Sequence, residues 1–295
     1  MSAASPLGQE ESGSAPKPGI PRRVRCPPMT TLDEYDKDTF TWGGKQRDVY
    51  RRGSGPAVIV LAEMPGITPK VIEFADRVVA LGCTAVVPHL FGIPGAGMTA
   101  MNTVRAIAPA CVSKEFSAWA TGKTSPVVEW CKALARHEHE RCGGPGVGAV
   151  GMCFTGNFAL AMLPDTSVIA PVMSQPSLPL GVSKKARRGL YLSDADLAKV
   201  QERMGAEPDL CVLGLRFTAD KLVPRERFAH LREALGDRFV AVEIDSSKGN
   251  PHGNPRTAHS VLTEHLVDEP GHPTRDALEQ VLDLFRSRLL GAPSR

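Results

Sequence analysis

Cys153 stands where a thiol could attack a carbonyl. The apolar run "VGAVGM" ends on it, glycines lie at 151 and 156, and a second apolar stretch, "FTGNFALAM", follows. A strand-to-helix turn raises its apex residue above the sheet. Small residues two before and two or three after the apex let the strand and the helix pass closely. Gly151 and Gly156 fill two of those places, and Thr155 sits two after the apex, where the common form has glycine. A thiolate at a helix N-terminus is favoured by the helix dipole and by the first N–H groups of the helix. The backbone N–H of Phe154 would also be one donor to an oxyanion. The plain alternative is a buried core cysteine, a frequent role for this residue. The residue pattern leaves both readings open.

A nucleophile needs a base, and the base needs an orienting group. In the chain order nucleophile, acid, histidine, the acid after Cys153 would be Asp220, in "LRFTADKLVP", just past an apolar run. An acid there points into a site at the sheet edge; its alternative is a turn or capping aspartate. Four histidines follow the run "FVAVEI": His252, His259, His265 and His272. The loop "DSSKGNPHGNPRTAH" is long, so spacing leaves His259 and His252 both open. His265 and His272 read as exposed residues flanking helices.

These residues need a scaffold. Unbroken apolar runs at 56–62, 84–90, 147–152, 167–173, 210–217 and 239–244 suit strands buried on both faces. Helical patterns separate them. "PKVIEFADRVVALG" places Val71, Phe74, Val78 and Leu81 on one face before Gly82, and "SPVVEWCKALARHEHER" opens with Ser125 and Pro126. "SDADLAKVQERM", "VPRERFAHLREALG" and "PTRDALEQVLDLFRSRLL" are further helices. The alternation predicts an α/β fold with a mostly parallel central sheet flanked by helices on both faces. Ligands in such folds bind beyond the carboxyl ends of the strands. The irregular stretches 95–124 and 175–208 are the expected pocket walls. Residues 1–28, rich in Ser, Pro and Gly, read as a disordered or loosely docked tail, and 29–295 as a single domain.

Five motifs in this order resemble the dienelactone hydrolases, cysteine-nucleophile members of the α/β-hydrolase fold. "AEMPG" is similar to the motif after the family's first core strand, and "AVVPHLFG" to its second strand and the loop beyond. "GMCFTG" resembles its cysteine elbow, "FTADKLVP" its acid loop and "AHSVL" its histidine loop. The resemblance implies a Cys153–His259–Asp220 triad. It implies that Glu63 contacts the resting thiol and helps to generate the thiolate, and that Met64 supplies the second oxyanion N–H beside Phe154. The implied reaction is cleavage of a small ester or lactone through an acyl-enzyme. The family holds its substrate's carboxylate with arginines, one of them shortly after the histidine; "HSVLTE" has none, and Lys114, Arg105 and Arg256 are the candidate replacements.

The bulk properties set limits. The net charge of +3 over 295 residues is small and scattered, so neither nucleic acid nor a membrane surface is an expected partner. A small-molecule substrate is, with a monomer or homodimer as the assembly. No apolar run approaches the length of a membrane span. Seven cysteines, with no C-x-x-C pair, argue against a disulfide framework or a structural zinc site and for a reducing, cytoplasmic setting. "RHEHER" places His137 and His139 on different helix faces, and "GPGVGAVG" runs into a strand rather than from strand to helix. Neither a metal nor a dinucleotide cofactor is expected. A second reading has Cys153 as an oxidisable thiol in a non-catalytic protein of the same fold.

Overall fold

The computed structural model describes Met1 and residues 31–99, 101–106 and 125–291. The expected tail, apart from Met1, lies outside the described residues, as do Lys114 and most of the expected wall at 95–124.

Eight strands of the described chain form one sheet: β1 (Asp36–Trp42), β2 (Lys45–Arg52), β3 (Ala57–Leu61), β4 (Thr84–Pro88), β5 (Val147–Met152), β6 (Val168–Ser174), β7 (Val212–Phe217) and β8 (Phe239–Ile244). Their order is β1-β2-β4-β3-β5-β6-β7-β8. The pairs β1–β2 and β2–β4 are antiparallel, and every other pair is parallel. The six strands from β3 onward lie on the six apolar runs.

The hairpin β1–β2 is an addition to that expectation. "DKDTFTW" is mostly exposed and carries no long apolar run, so burial does not mark it in the sequence. Gly43 and Gly44 make its turn, both at positive φ (58° and 73°). This is the left-handed pair that matches the twist of a two-residue hairpin.

Besides a helical segment at 101–106, the described residues hold α1 (Pro69–Ala80), α2 (Pro126–Cys142), α3 (Phe158–Met162), α4 (Lys184–Arg188), α5 (Asp194–Ala206), α6 (Arg225–Leu235) and α7 (Pro273–Leu289). Proline opens α1, α2 and α7, where a missing N–H costs nothing. The Thr68 hydroxyl caps α1 by accepting from the Val71 N–H at 3.3 Å. Alternation along the strands divides the apolar side chains between two cores. Val58 and Val60 pack with Phe74 of α1 and Phe285 of α7, while Ile59 and Leu61 pack with Trp130 of α2 and Phe228 of α6. Within the stretch 175–208, α5 lies on the expected helix at "SDADLAKVQERM", and the short α4 is an addition.

The chain runs from β3 outward to β4, then crosses back to β5 on the other side of β3. Strand order therefore reverses between β3 and β5. Loops leaving the carboxyl ends of two such strands diverge and open a crevice between them.

Candidate active site

Cys153 follows β5 at that crevice and begins a single 3-10 turn, Cys153–Thr155, that leads into α3. Its φ is 54°, in the left-handed region where a residue with a Cβ is strained by about 1–2 kcal/mol. The two flanking glycines make this turn possible. A Cβ on Gly151 would lie 2.1 Å from the Thr155 carbonyl oxygen, and one on Gly156 would lie 2.5 Å from Pro176 Cα. Thr155, the departure from the common pattern, is fully buried and ties the turn down. Its Oγ1 accepts from the Met152 N–H at 2.9 Å and lies 2.9 Å from the Leu61 carbonyl oxygen at the end of β3. The hydroxyl thus links the two strands that border the crevice.

Asp220 lies just past β7 and is buried. One carboxylate oxygen accepts from the Leu222 N–H at 2.9 Å, and the other lies 2.6 Å from His259 Nδ1. His259 Nε2 is buried and makes no hydrogen bond among the described residues. Burial opposes a charge on this ring. The neighbouring Cys153 and the Asp220 carboxylate outweigh that cost, so the His259 pKa stands well above the ordinary imidazole value. His252, the other open histidine, is exposed and meets the His272 ring edge-on at 5.6 Å. His259 is thus the histidine that the fold brings to Asp220.

Glu63, after β3, is buried and does not spend its carboxylate on the thiol. Oε2 accepts from the Ser260 hydroxyl at 2.5 Å and from Gln175 Nε2 at 3.4 Å, and Oε1 accepts from the Thr263 hydroxyl. Gln175 completes the link, since its Oε1 accepts from the Val261 N–H at 3.2 Å. Burial raises the Glu63 pKa, and the Ser260 and Thr263 hydroxyls oppose that rise. His265 is half-buried rather than exposed. Its Nδ1 accepts from the Ser260 N–H at 3.2 Å, and its ring meets Phe217 edge-on at 6.1 Å. Burial lowers its pKa, as does the neighbouring His259. His272 caps α7, accepting from the Thr274 N–H.

The thiol's own partner is Ser177, with Cys153 Sγ and Ser177 Oγ 3.5 Å apart. Ser177 lies beyond β6, in a loop gathered by the fully buried Arg227 of α6. That guanidinium donates to the carbonyl oxygens of Pro176, Pro179, Ala186 and Gly189. Burial pushes its pKa down to about 10. Arg216, also buried, donates to the carbonyl oxygens of Phe217 and Thr218. Both buried cations near the acid loop therefore serve the backbone. Arg105 and Arg256 are exposed.

Met64 follows Glu63, and Phe154 follows Cys153, so their backbone N–H groups belong to the two loops that diverge at the crevice. The β4 loop presses onto the first of these, since a Cβ on Gly92 would lie 1.8 Å from the Pro65 carbonyl oxygen. Phe91 meets the Phe154 ring edge-on at 5.7 Å. A separate surface cleft of about 730 Å³, lined by Tyr35, Tyr50, Ile72 and Pro94 among others, contains none of these groups. Burial raises the thiols of Cys83 and Cys131 to about 11 and about 12, as expected of core residues. Among the described residues, no cluster of three or more His, Cys, Asp or Glu could hold a metal ion, and no helix is long and apolar enough to cross a membrane.

Sequence reasoning did not find Ser177, Gln175, Ser260, Thr263, His265 or Arg227. The signal available was position alone, since "SQPS" leaves β6 on the same sheet edge as the elbow.

A model of the dienelactone hydrolase family matches residues 49–289. No curated protein is a match. The solved structures include a dienelactone hydrolase-like promiscuous phosphotriesterase, P91, from metagenomic libraries. It is 16% identical, with a TM-score of 0.58 over 86% of this chain and 98% of that one. A Klebsiella pneumoniae subsp. pneumoniae protein described as a dienelactone hydrolase is 15% identical, with a TM-score of 0.56 over 85% and 97%. A cold-adapted esterase from an Arctic intertidal metagenomic library is 14% identical, with a TM-score of 0.54 over 86% and 93%. At these identities the likeness is one of fold, the α/β-hydrolase fold.

Proposed function

The chain belongs to the dienelactone hydrolase family, and on that premise we propose that it cleaves a small ester or lactone through an acyl-enzyme on Cys153. The observation that carries this reading is the 2.6 Å pairing of His259 Nδ1 with Asp220, which leaves the buried Nε2 free to take a proton beside a cysteine on a left-handed elbow.

In this reading Cys153 has already given its proton to His259 Nε2, the charged pair that the raised His259 pKa favours, and Sγ bonds to the substrate carbonyl carbon. The displaced electron pair settles on the carbonyl oxygen, which accepts hydrogen bonds from the Met64 and Phe154 N–H groups. Each such donor typically contributes on the order of 10²–10³ in rate. The tetrahedral species collapses, the carbon–oxygen bond to the alcohol breaks, and His259 returns the proton to the leaving oxygen. Water then attacks the thioester, with His259 taking its proton, and the thiol is released with the acid. Asp220 holds the histidine in the tautomer with hydrogen on Nδ1 and stabilises the imidazolium. Glu63 acts as a positioning residue for the histidine loop, through Ser260 and Thr263. Family membership supports hydrolysis.

The test uses p-nitrophenyl acetate, with nitrophenol release and intact protein mass followed together in wild type, Cys153→Ala and His259→Ala. The expected result is turnover by wild type, none by Cys153→Ala, and either slow turnover or a trapped acetyl adduct in His259→Ala. Equal, slow release by all three, repeated with small lactones, refutes the reading and leaves Cys153 as a redox or core thiol.

A further inference from the structure

We propose that Ser177 is a further catalytic residue, whose hydroxyl donates to the Cys153 thiolate and holds it in the charged form before attack. The inference rests on the nucleophile reading above.

Ser177 is 4% exposed, and the partner of its hydroxyl among the described residues is Cys153 Sγ at 3.5 Å. That distance lies within the longer range of hydrogen bonds to sulfur. In the neutral thiol either atom can be the donor. Once Sγ carries charge it can only accept, and the hydroxyl must turn its hydrogen toward it. A hydrogen bond to a charged group is worth more than a neutral one, so the contact favours the thiolate over the thiol.

Backbone constraints hold the hydroxyl in place. The Ser177 N–H donates to the Cys153 carbonyl oxygen at 2.9 Å, which fastens the serine to the residue it contacts. On its two sides, Arg227 donates to the carbonyl oxygens of Pro176 and Pro179, and Asn157 Nδ2 donates to that of Leu178. Pro176 packs directly against Gly156 of the elbow. The loop and the elbow therefore form one unit, and the hydroxyl does not have to be ordered at the moment of reaction. The sulfur has two neighbours that favour its charge, the Ser177 hydroxyl at 3.5 Å and the His259 ring. Attack converts the thiolate to a neutral thioester sulfur, and the Ser177 contact then loses its charge-assisted strength. The interaction is stronger before acylation than after it, and it strengthens again as the thiolate leaves in the second step.

The test measures the rate of alkylation of Cys153 by iodoacetamide across pH, read by peptide mass spectrometry, in wild type, Ser177→Ala and Ser177→Thr. In Ser177→Ala the rate at neutral pH is expected to fall about tenfold, the weaker end of a hydrogen bond to a charged group, with the high-pH plateau kept. The profile is thus displaced upward by about one pH unit. Ser177→Thr, which keeps the hydroxyl, should restore the wild-type profile. A Ser177→Ala profile that superimposes on wild type, or moves to lower pH, overturns the proposal. So does a fall of plateau and neutral rate together, which repacking alone would produce, and so does a Thr variant as slow as Ala. A wild type in which Cys153 reacts no faster than the half-buried Cys142 overturns the nucleophile reading itself, whereas fast wild-type reaction with no Ser177 effect removes the serine's role alone.

Discussion

Replacing Thr155 with valine should loosen the elbow without creating a cavity. Valine keeps the branched shape, and the side chain is fully buried. The loss is confined to the hydroxyl. Its oxygen accepts from the Met152 N–H at 2.9 Å, and its hydrogen is shared among the carbonyl oxygens of Leu61, Met152 and Ala62 at 2.9, 3.0 and 3.2 Å. A buried N–H left without an acceptor costs about 1–3 kcal/mol, and loss of the donated bond adds about 1 kcal/mol. The expected loss of stability is therefore about 2–4 kcal/mol. Thr155→Ser keeps the hydroxyl and gives up one methyl group, which costs about 1 kcal/mol. Thr155→Gly brings back the residue common at this position, yet it should be at least as harmful as valine, because it removes the same hydroxyl and frees the backbone. The assay is urea denaturation of the three variants beside wild type, with the slope of the transition checked for constancy. A Val variant within about 0.5 kcal/mol of wild type, the range of an inert surface change, or a Val variant more stable than the Ser variant, would refute the claim that this hydroxyl ties β3 to the elbow.

Asp220→Asn should lower kcat by on the order of 10⁴ with little change in folding, because an amide in place of the carboxylate favours the wrong imidazole tautomer; steady-state ester hydrolysis and a thermal melt check both halves. His252→Ala should leave ester hydrolysis unchanged, since that ring lies against His272 rather than Asp220, and a loss matching that of His259→Ala would reverse the assignment. The folded chain binds a proton at His265 less readily than the unfolded chain, whose value is about 6.5. Its contribution to stability is therefore complete above about pH 6.5 and is lost as pH falls toward the lower folded value. The acid-side decline in urea midpoint should be smaller in His265→Asn, whose carbonyl can still accept from the Ser260 N–H.

The strands that carry the site were legible because they are buried on both faces, and burial of that kind demands unbroken apolar runs such as "PAVIVLA". The hairpin β1–β2 was not, because an exposed edge needs no apolar pattern and only its Gly43–Gly44 turn leaves a trace. Asp220 and His259 were legible through their places after β7 and β8, although spacing alone left His252 as an equal choice. What separates the two histidines is the path of a long loop, and that path is set by tertiary hydrogen bonds. The motif marks Glu63 and implies a contact with the thiol, whereas its partners are Ser260, Thr263 and Gln175. Ser and Thr hydroxyls can bond almost anywhere, so their pairing with a carboxylate cannot be read from residue type. His265 reads as exposed in the sequence for a similar reason. A histidine accepting amide N–H groups behind a loop looks, in sequence, like any polar residue near a helix.

The Glu63 contacts also have a consequence for the order in which the protein is built. They join residues 197 and 200 positions apart, from the first core strand to a loop near the end of the chain. Contacts of that separation pay a large loop-closure entropy and form late unless the segments between have already condensed. During synthesis the elbow, its serine and the acid loop can all be in place while the histidine is still to come. Chemical competence on this scheme arrives in a single late event, when the final segment docks onto a sheet begun some two hundred residues earlier. Hydrolysis by a refolding chain should therefore lag behind recovery of its helical signal, and Glu63, by fastening that last segment, should govern the length of the lag.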